Sequence, residues 1–494
     1  MSTLETLAPA DAKVAAALPK HRALYYDGAW REPEGGYAET INPATGQSLG
    51  RVADANSADV DKAVRSAHKA FLEWRRWKPR DRGAVLKRVA AVLRDHAEEL
   101  ALLDAANCGN PVKAMLRDGY DGPDYIDFFA GLATEAKGDV TPLGEDVLNI
   151  TVQEPYGVCA RIVAYNHPYM FAAMKIGAPL VTGNTVIIKP PPQAPLSALR
   201  MFELIDGLLP AGVLSLLTGG RECGESMSTH PLTPVVTLVG SVQSGKAVAR
   251  ASAERLKHVV LELGGKNGLI VFPDADIPKA IEGAVKGMNF TWCGQSCGST
   301  SRLFVHESVY DALLEGVLRG IEHFKPGIPT EMDTTMGAII SKAQLEKVQG
   351  YVAIGQSEGA NLVAGGCVPS DPRLQGGFFL EPTVFTGVNM DMRIAKEEIF
   401  GPVLSVIKWR DEEAMFEQMN QVEYGLTASI YTTSLAIAHR AARRVESGYV
   451  WVNNAGPHYV GVPFGGYKQS GVGREESIKE LYTFTQTKNI HITL

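Results

Sequence analysis

The sequence has no apolar run long enough to span a bilayer, no CxxC pair, no histidine beside a cysteine at zinc-like spacing, and no GxGxxG after a strand-like segment. Each absence removes a class. Without about 20 consecutive apolar residues, no helix crosses a membrane. The six cysteines, Cys108, Cys159, Cys223, Cys293, Cys297 and Cys367, are scattered and form neither a disulfide framework nor a zinc set. That points to a reduced, cytoplasmic protein without a structural metal. Positive charge is not in excess either: a net charge of -7 offers no basic footprint for nucleic acid or an anionic membrane. Residues Met1 to Asp11 carry acids and no sustained apolar stretch, so they read as a frayed leader and not as a signal peptide.

What is present is a long globular chain. At 494 residues with 45% hydrophobic residues, two or three domains are expected. Strand-like pieces at Ala23 to Tyr26 and Tyr37 to Ile41 precede two helices, one capped by Asp59 and running to Trp77, the other beginning at Asp81 and stopped by Gly109-Asn110-Pro111. From Thr134 to Gln153 polarity rises and the pattern becomes extended, predicting a projecting hairpin able to pair with a partner subunit. After Pro155 short β-rich runs alternate with helical stretches: Gly157 to Ala164, Thr185 to Lys189, Val213 to Leu217, Val235 to Val239 and Val259 to Leu263. That alternation predicts an α/β, Rossmann-like parallel sheet, whose ligands sit beyond the carboxyl ends of the strands.

The residues at those ends are therefore the candidates. Asn166 can offer an amide to a developing oxyanion or simply satisfy a turn before Pro168. Lys189 can reach a ribose or phosphate, or stand solvated. Gly240-Ser241 opens a helix whose N–H groups suit a diphosphate; Ala247 lacks the hydroxyl a P-loop puts on Mg²⁺, which speaks against a nucleoside triphosphatase. Glu262, before two glycines, can be a general base or a partner of Lys266. Downstream, Cys293 and Cys297 sit among Gly, Ser and Thr, where a thiol can stay accessible.

The segment Glu262-Leu-Gly-Gly-Lys266, followed by Gly294-Gln-Ser-Cys297 and Arg302, resembles the aldehyde dehydrogenase superfamily in its hydrolytic branch. So do Asn166, Lys189, Gly240-Ser241, Glu397 to Pro402, and Pro463 to Glu475, in the same order. The resemblance implies a cofactor-binding unit over 1–133 and 154–261, a catalytic unit over 262–479, and an oligomerisation arm over 134–153 and 480–494. It implies Cys297 as nucleophile, Asn166 at the oxyanion, Glu262 activating water, and Glu475 as a second acid. Ile162, Tyr165, Lys189, Gly240, Ser241, Glu398 and Phe400 are implied around NAD or NADP. A homodimer or homotetramer follows from the arm.

Departures from the family pattern narrow the expectation. Pro192 stands where a Glu often accepts from the adenosine ribose, which leaves NAD and NADP both open; Tyr165 replaces a common Trp. Tunnel positions carry His167, Tyr169, Phe171, Met174, Trp292, His458 and Tyr459, a wall of rings suited to a flat or bulky aldehyde and without Arg or Lys to pair a substrate carboxylate. The alternatives are a coenzyme A-acylating enzyme, a broad-range aliphatic one, or a fold retained for binding alone.

Overall fold

The computed structural model describes residues 9–493, so the first eight residues of the expected leader lie outside the described part. From Pro9 the chain is helical, to Ala17.

The alternation of short β-branched runs and helices builds one sheet in the order Ala29–Arg31, Leu24–Tyr26, Leu214–Leu216, Thr185–Lys189, Val158–Ile162, Val235–Val239, His258–Glu262, Gly471–Val472. The strands from Leu214–Leu216 through His258–Glu262 are mutually parallel. They are largely buried on both faces, as crossover helices require. Both edges are antiparallel additions, and one of them, Gly471–Val472, returns from far downstream to pair with Leu261 and Glu262.

A second sheet runs Asn361–Ala364, Thr383–Thr386, Val403–Trp409, Arg302–His306, Gly268–Val271, Thr427–Tyr431, Tyr449–Val452, parallel except at its first pair. Between them the two sheets supply most of the core: one cluster under the first around Phe129, Tyr169 and Phe202, another under the second around Phe304, Phe385 and Phe416. The expected hairpin is there as Val140–Pro142 and Val147–Pro155, and its long strand pairs along its length with Thr485–Thr493.

Local capping chemistry moved two expected helix ends. The first helix is Ser57–Trp74, and Asn56, not Asp59, is its cap; Asp59 is the third residue of a reciprocal capping box, its carboxylate accepting from the Asn56 N–H at 3.1 Å. The expected second helix is two, Pro79–Asp95 and Ala97–Cys108, broken at His96. Gly109, at φ +86°, ends it as predicted. No helix among the described residues is long and apolar enough to cross a membrane.

Candidate active site

The strand ends converge on one face. Ile162 closes Val158–Ile162 and leads through Tyr165 to Asn166, Lys189 closes its strand, Gly240 and Ser241 follow Val235–Val239, and Glu262 closes His258–Glu262. Cys297 arrives from the second unit, on the loop between the turn Phe290–Trp292 and the strand Arg302–His306. Asn267 pins that loop, its amide donating to the carbonyl of Cys297 at 2.6 Å and of Ser299 at 3.0 Å. Arg302 holds the base of the loop by donating to the carbonyls of Lys266 and Met419. Gly265 allows the close approach, since a Cβ there would lie 2.8 Å from the Cys297 carbonyl oxygen.

Cys297, Asn166 and Glu262 line a common cavity of about 180 Å³. Burial first, then the charges of Glu262, Glu398 and Glu476, push the Cys297 thiol up to about 12, so it rests protonated. Glu262 does not pair with Lys266: both of its oxygens and the Lys266 ammonium are buried without a hydrogen-bond partner. Burial above all, and then the charge of Glu475, hold Glu262 well above the ordinary carboxylate range. Cys293, by contrast, is fully buried and its thiol donates to the Gly337 carbonyl at 3.0 Å.

Glu475 also touches the cavity, but it is the centre of a buried ion network. It accepts from Arg161 at 2.6 Å and from Lys175, while Arg161 reaches Glu480 at 3.4 Å. Burial and then Glu475 push Glu480 up to about 7. Arg161, Lys175 and Glu480 were not singled out from sequence, where a charge inside a strand or a short helix carries no mark of its partners.

A dinucleotide fits the remaining residues. Glu398 accepts from the Gly265 N–H at 3.0 Å, and its carboxylate fills the space that a Cβ on Gly264 would occupy, at 2.1–2.4 Å, so a carboxylate able to accept from ribose hydroxyls is fixed against bare backbone. Phe400, held at φ +57°, meets Tyr165 edge-on at 5.8 Å. Ser241 caps the helix Val242–Ala253, whose amino terminus faces the carboxyl edge of the sheet, the arrangement that binds diphosphate. Lys189 is not solvated: it is buried, donates only to the Pro190 carbonyl at 3.3 Å, and is lowered by that burial. Pro192 is exposed.

His167, Phe171, Met174, Trp292 and His458 all line the cavity. Tyr169 does not: the helix Pro168–Met174 turns it inward, fully buried in the core of the first unit. Tyr459 is exposed and outside the lining. The expectation of no Arg or Lys there also fails, because the helix Val112–Gly131 brings Arg117 to the cavity and Lys175 lies behind Phe171. Lys175 is engaged by Glu475, whereas Arg117 is mostly exposed and only its Nε donates to Asp121, at 3.3 Å, so its two terminal nitrogens have no partner among the described residues. Asp118 and Glu476 were missed as well; each sits against a cavity histidine, 49 residues away for Asp118 and 18 for Glu476.

The sequence profile of the aldehyde dehydrogenase family matches residues 30–490. The chain is 49% identical over 496 residues to aldehyde dehydrogenase tropH of Talaromyces stipitatus, covering 99% of this chain and 96% of that one. Among solved structures it is similar to the NAD+ complex of aldehyde dehydrogenase from Bacillus cereus, with 37% identity, a TM-score of 0.94 and 99% of each chain covered. It is also similar to the AldA indole-3-acetaldehyde dehydrogenase of P. syringae, a mutant solved with NAD+ and IAA, with 36% identity, a TM-score of 0.95, and 99% of this chain and 100% of that one covered. With an NAD(P) site that its residues fit and a family match across nearly its whole length, the chain belongs to the aldehyde dehydrogenase family, enzymes that oxidise aldehydes with NAD(P).

Proposed function

We propose that this enzyme oxidises an aromatic or otherwise bulky aldehyde to its carboxylic acid, with Cys297 as nucleophile, Asn166 at the oxyanion and Glu262 as base. The observation that carries the reading is the Glu262 carboxyl, 6% exposed, with both oxygens unpartnered, on the same cavity as Cys297 and Asn166. A buried carboxyl without a partner is costly to keep, and its raised proton affinity suits a base working near neutral pH.

Because the thiol rests protonated, Cys297 must give up its proton to attack, and Glu262 is the acceptor at hand. The sulfur adds to the aldehyde carbon, and the carbonyl oxygen takes up the negative charge that the Asn166 amide stabilises by donating to it. Glu398, Lys189, Ser241 and Phe400 would hold NAD(P), which would supply the acceptor for the hydride that leaves this carbon. The acyl group is then a thioester on Cys297. Glu262 first passes the thiol's proton to solvent; water then attacks the thioester while Glu262 takes a water proton and hands it to the departing Cys297 sulfur, releasing the acid and the thiol. Glu475, tied to Arg161 and Lys175, sets the charge that Glu262 feels. Pro192 offers no carboxylate to a ribose or against a 2′-phosphate, so both NAD and NADP serve. The sheet of Val147–Pro155 and Thr485–Thr493, with Val140, Leu143 and Ile492 exposed on or beside it, is the surface for a homodimer or homotetramer.

The test is reduced-cofactor formation with benzaldehyde and a short aliphatic aldehyde, NAD and NADP in parallel. Strong turnover of the ring compound by wild type and none by Cys297→Ala is expected. Equal rates along an aliphatic series with benzaldehyde no better would remove the aromatic assignment, and a rate that appears only on adding coenzyme A would remove Glu262 as water-activating base.

A further inference from the structure

Two of the rings around the cavity are more than apolar wall. His167 Nδ1 lies 2.7 Å from Asp118 Oδ2, and His458 Nδ1 lies 3.3 Å from Glu476 Oε2, which also accepts from the Tyr125 hydroxyl at 2.9 Å. Both carboxylates are more than nine-tenths buried, Asp118 at 4% and Glu476 at 7% exposed, and Asp118 has no other side-chain or backbone donor among the described residues. A buried carboxylate with a single partner is stable when that partner brings a proton and a positive charge. Burial alone would lower the His167 imidazole, but Asp118 outweighs it and the net shift is upward.

With Nδ1 committed to the carboxylate, Nε2 is the nitrogen left for a ligand, and in the imidazolium it carries a proton to donate. Nothing among the described residues accepts it. The ring around it is only partly exposed and lies against Phe171 at 5.5 Å and Trp292 at 5.7 Å. A donor set into an apolar cavity is left unpaired unless the substrate brings an acceptor, which is how a site rejects the analogue lacking one.

We propose that His167, held by Asp118, is a specificity residue that donates Nε2–H to an oxygen on the substrate away from its aldehyde, so that the preferred substrates are oxygen-substituted aromatic aldehydes. This rests on the aromatic reading of the cavity given above. His458, against Glu476, which Tyr125 also donates to, brings a second carboxylate-paired ring from the C-terminal segment, next to Phe464 at 4.3 Å. Asp118 acts through His167 and is a positioning residue.

The test compares substrates of equal shape that differ by one acceptor: 3-methoxy- against 3-ethylbenzaldehyde, and the 4-substituted pair. In wild type the methoxy compound is expected to be favoured by ~10-fold or more in kcat/KM for at least one pair. In His167→Phe and Asp118→Asn the ratio falls toward one, and in His167→Gln, which keeps an amide donor, part of it returns. Electronic effects of the substituent persist in every variant, so the change in ratio isolates the hydrogen bond whatever the absolute rates do. A wild-type ratio near one for both pairs, or a ratio that His167→Phe leaves unchanged, overturns the assignment while leaving turnover of ring aldehydes intact. If no ring aldehyde reacts and a short aliphatic one does, the aromatic reading fails and this inference with it.

Discussion

Glu262→Gln is expected to cost activity and gain stability, with the gain growing as pH rises. The side chain keeps its size, but Gln has no charge to bury. In the unfolded chain the Glu262 carboxyl ionises near its ordinary value of 4.5; folded, it holds its proton to higher pH because it is buried without a partner and faces Glu475. Between those two values the unfolded state binds fewer protons than the native one, so the slope of unfolding free energy against pH is negative for this group. Its stabilising share is complete below about 4.5 and is lost as pH rises through the folded value, at up to about 1.4 kcal/mol per pH unit. The Gln variant has no such loss. Urea midpoints of the two proteins, measured pairwise at half-unit steps from pH 5 to 8.5, should separate in favour of the variant as pH increases. Meanwhile kcat falls by ~10²–10⁴, the usual worth of a general base. A difference in midpoint that is independent of pH, or a variant that is less stable at pH 8.5, would refute the account of an unpaired buried carboxyl.

Arg161→Met leaves two buried carboxylates, Glu475 and Glu480, facing Lys175 alone, and is expected to destabilise by ~3–5 kcal/mol, softened where Glu480 takes up a proton. Lys286→Ala, which breaks the exposed Lys286–Glu282 pair on the helix Ile277–Gly287, should lower the stability from the same urea titration by less than ~1 kcal/mol; equal effects would sink the distinction. Gly264→Ala drives a methyl into the Glu398 carboxylate and breaks its bond to the Gly265 N–H. The KM for NAD(P) should rise several-fold more than the KM for aldehyde, and a parallel rise in both would show that Glu398 is not specific to the cofactor side.

The parallel strands of the first sheet were legible because each is a short β-branched run between helices: Thr185–Lys189 and Val235–Val239 have the limits the pattern predicts, and His258–Glu262 is shifted by one residue. The second sheet was reached only through the resemblance, since its runs between 268 and 452 were not separated by their own periodicity. Motif order placed Asn166, Glu262 and Cys297, and the structure brings them to one cavity. What stayed hidden depends on direction and distance. Tyr169 and Phe171 are two residues apart on one helix, yet only Phe171 faces the cavity. Asp118 and His167 are separated by 49 residues, and Arg161 and Glu475 by 314, so no local pattern announces either pair. Asp59 misled because Asn, three residues earlier, is an equally good cap and the Asp serves the same motif from the other end.

Glu262 ends a strand that is paired on one side with Val235–Val239 and on the other with Gly471–Val472. The first neighbour is made before it and the second long after, when almost all of the second unit has been synthesised. A chain growing on the ribosome can therefore assemble the dinucleotide side of the site early, while the strand that carries the base keeps an open edge. Locking the strand that carries the base therefore waits on residues near the end of the chain.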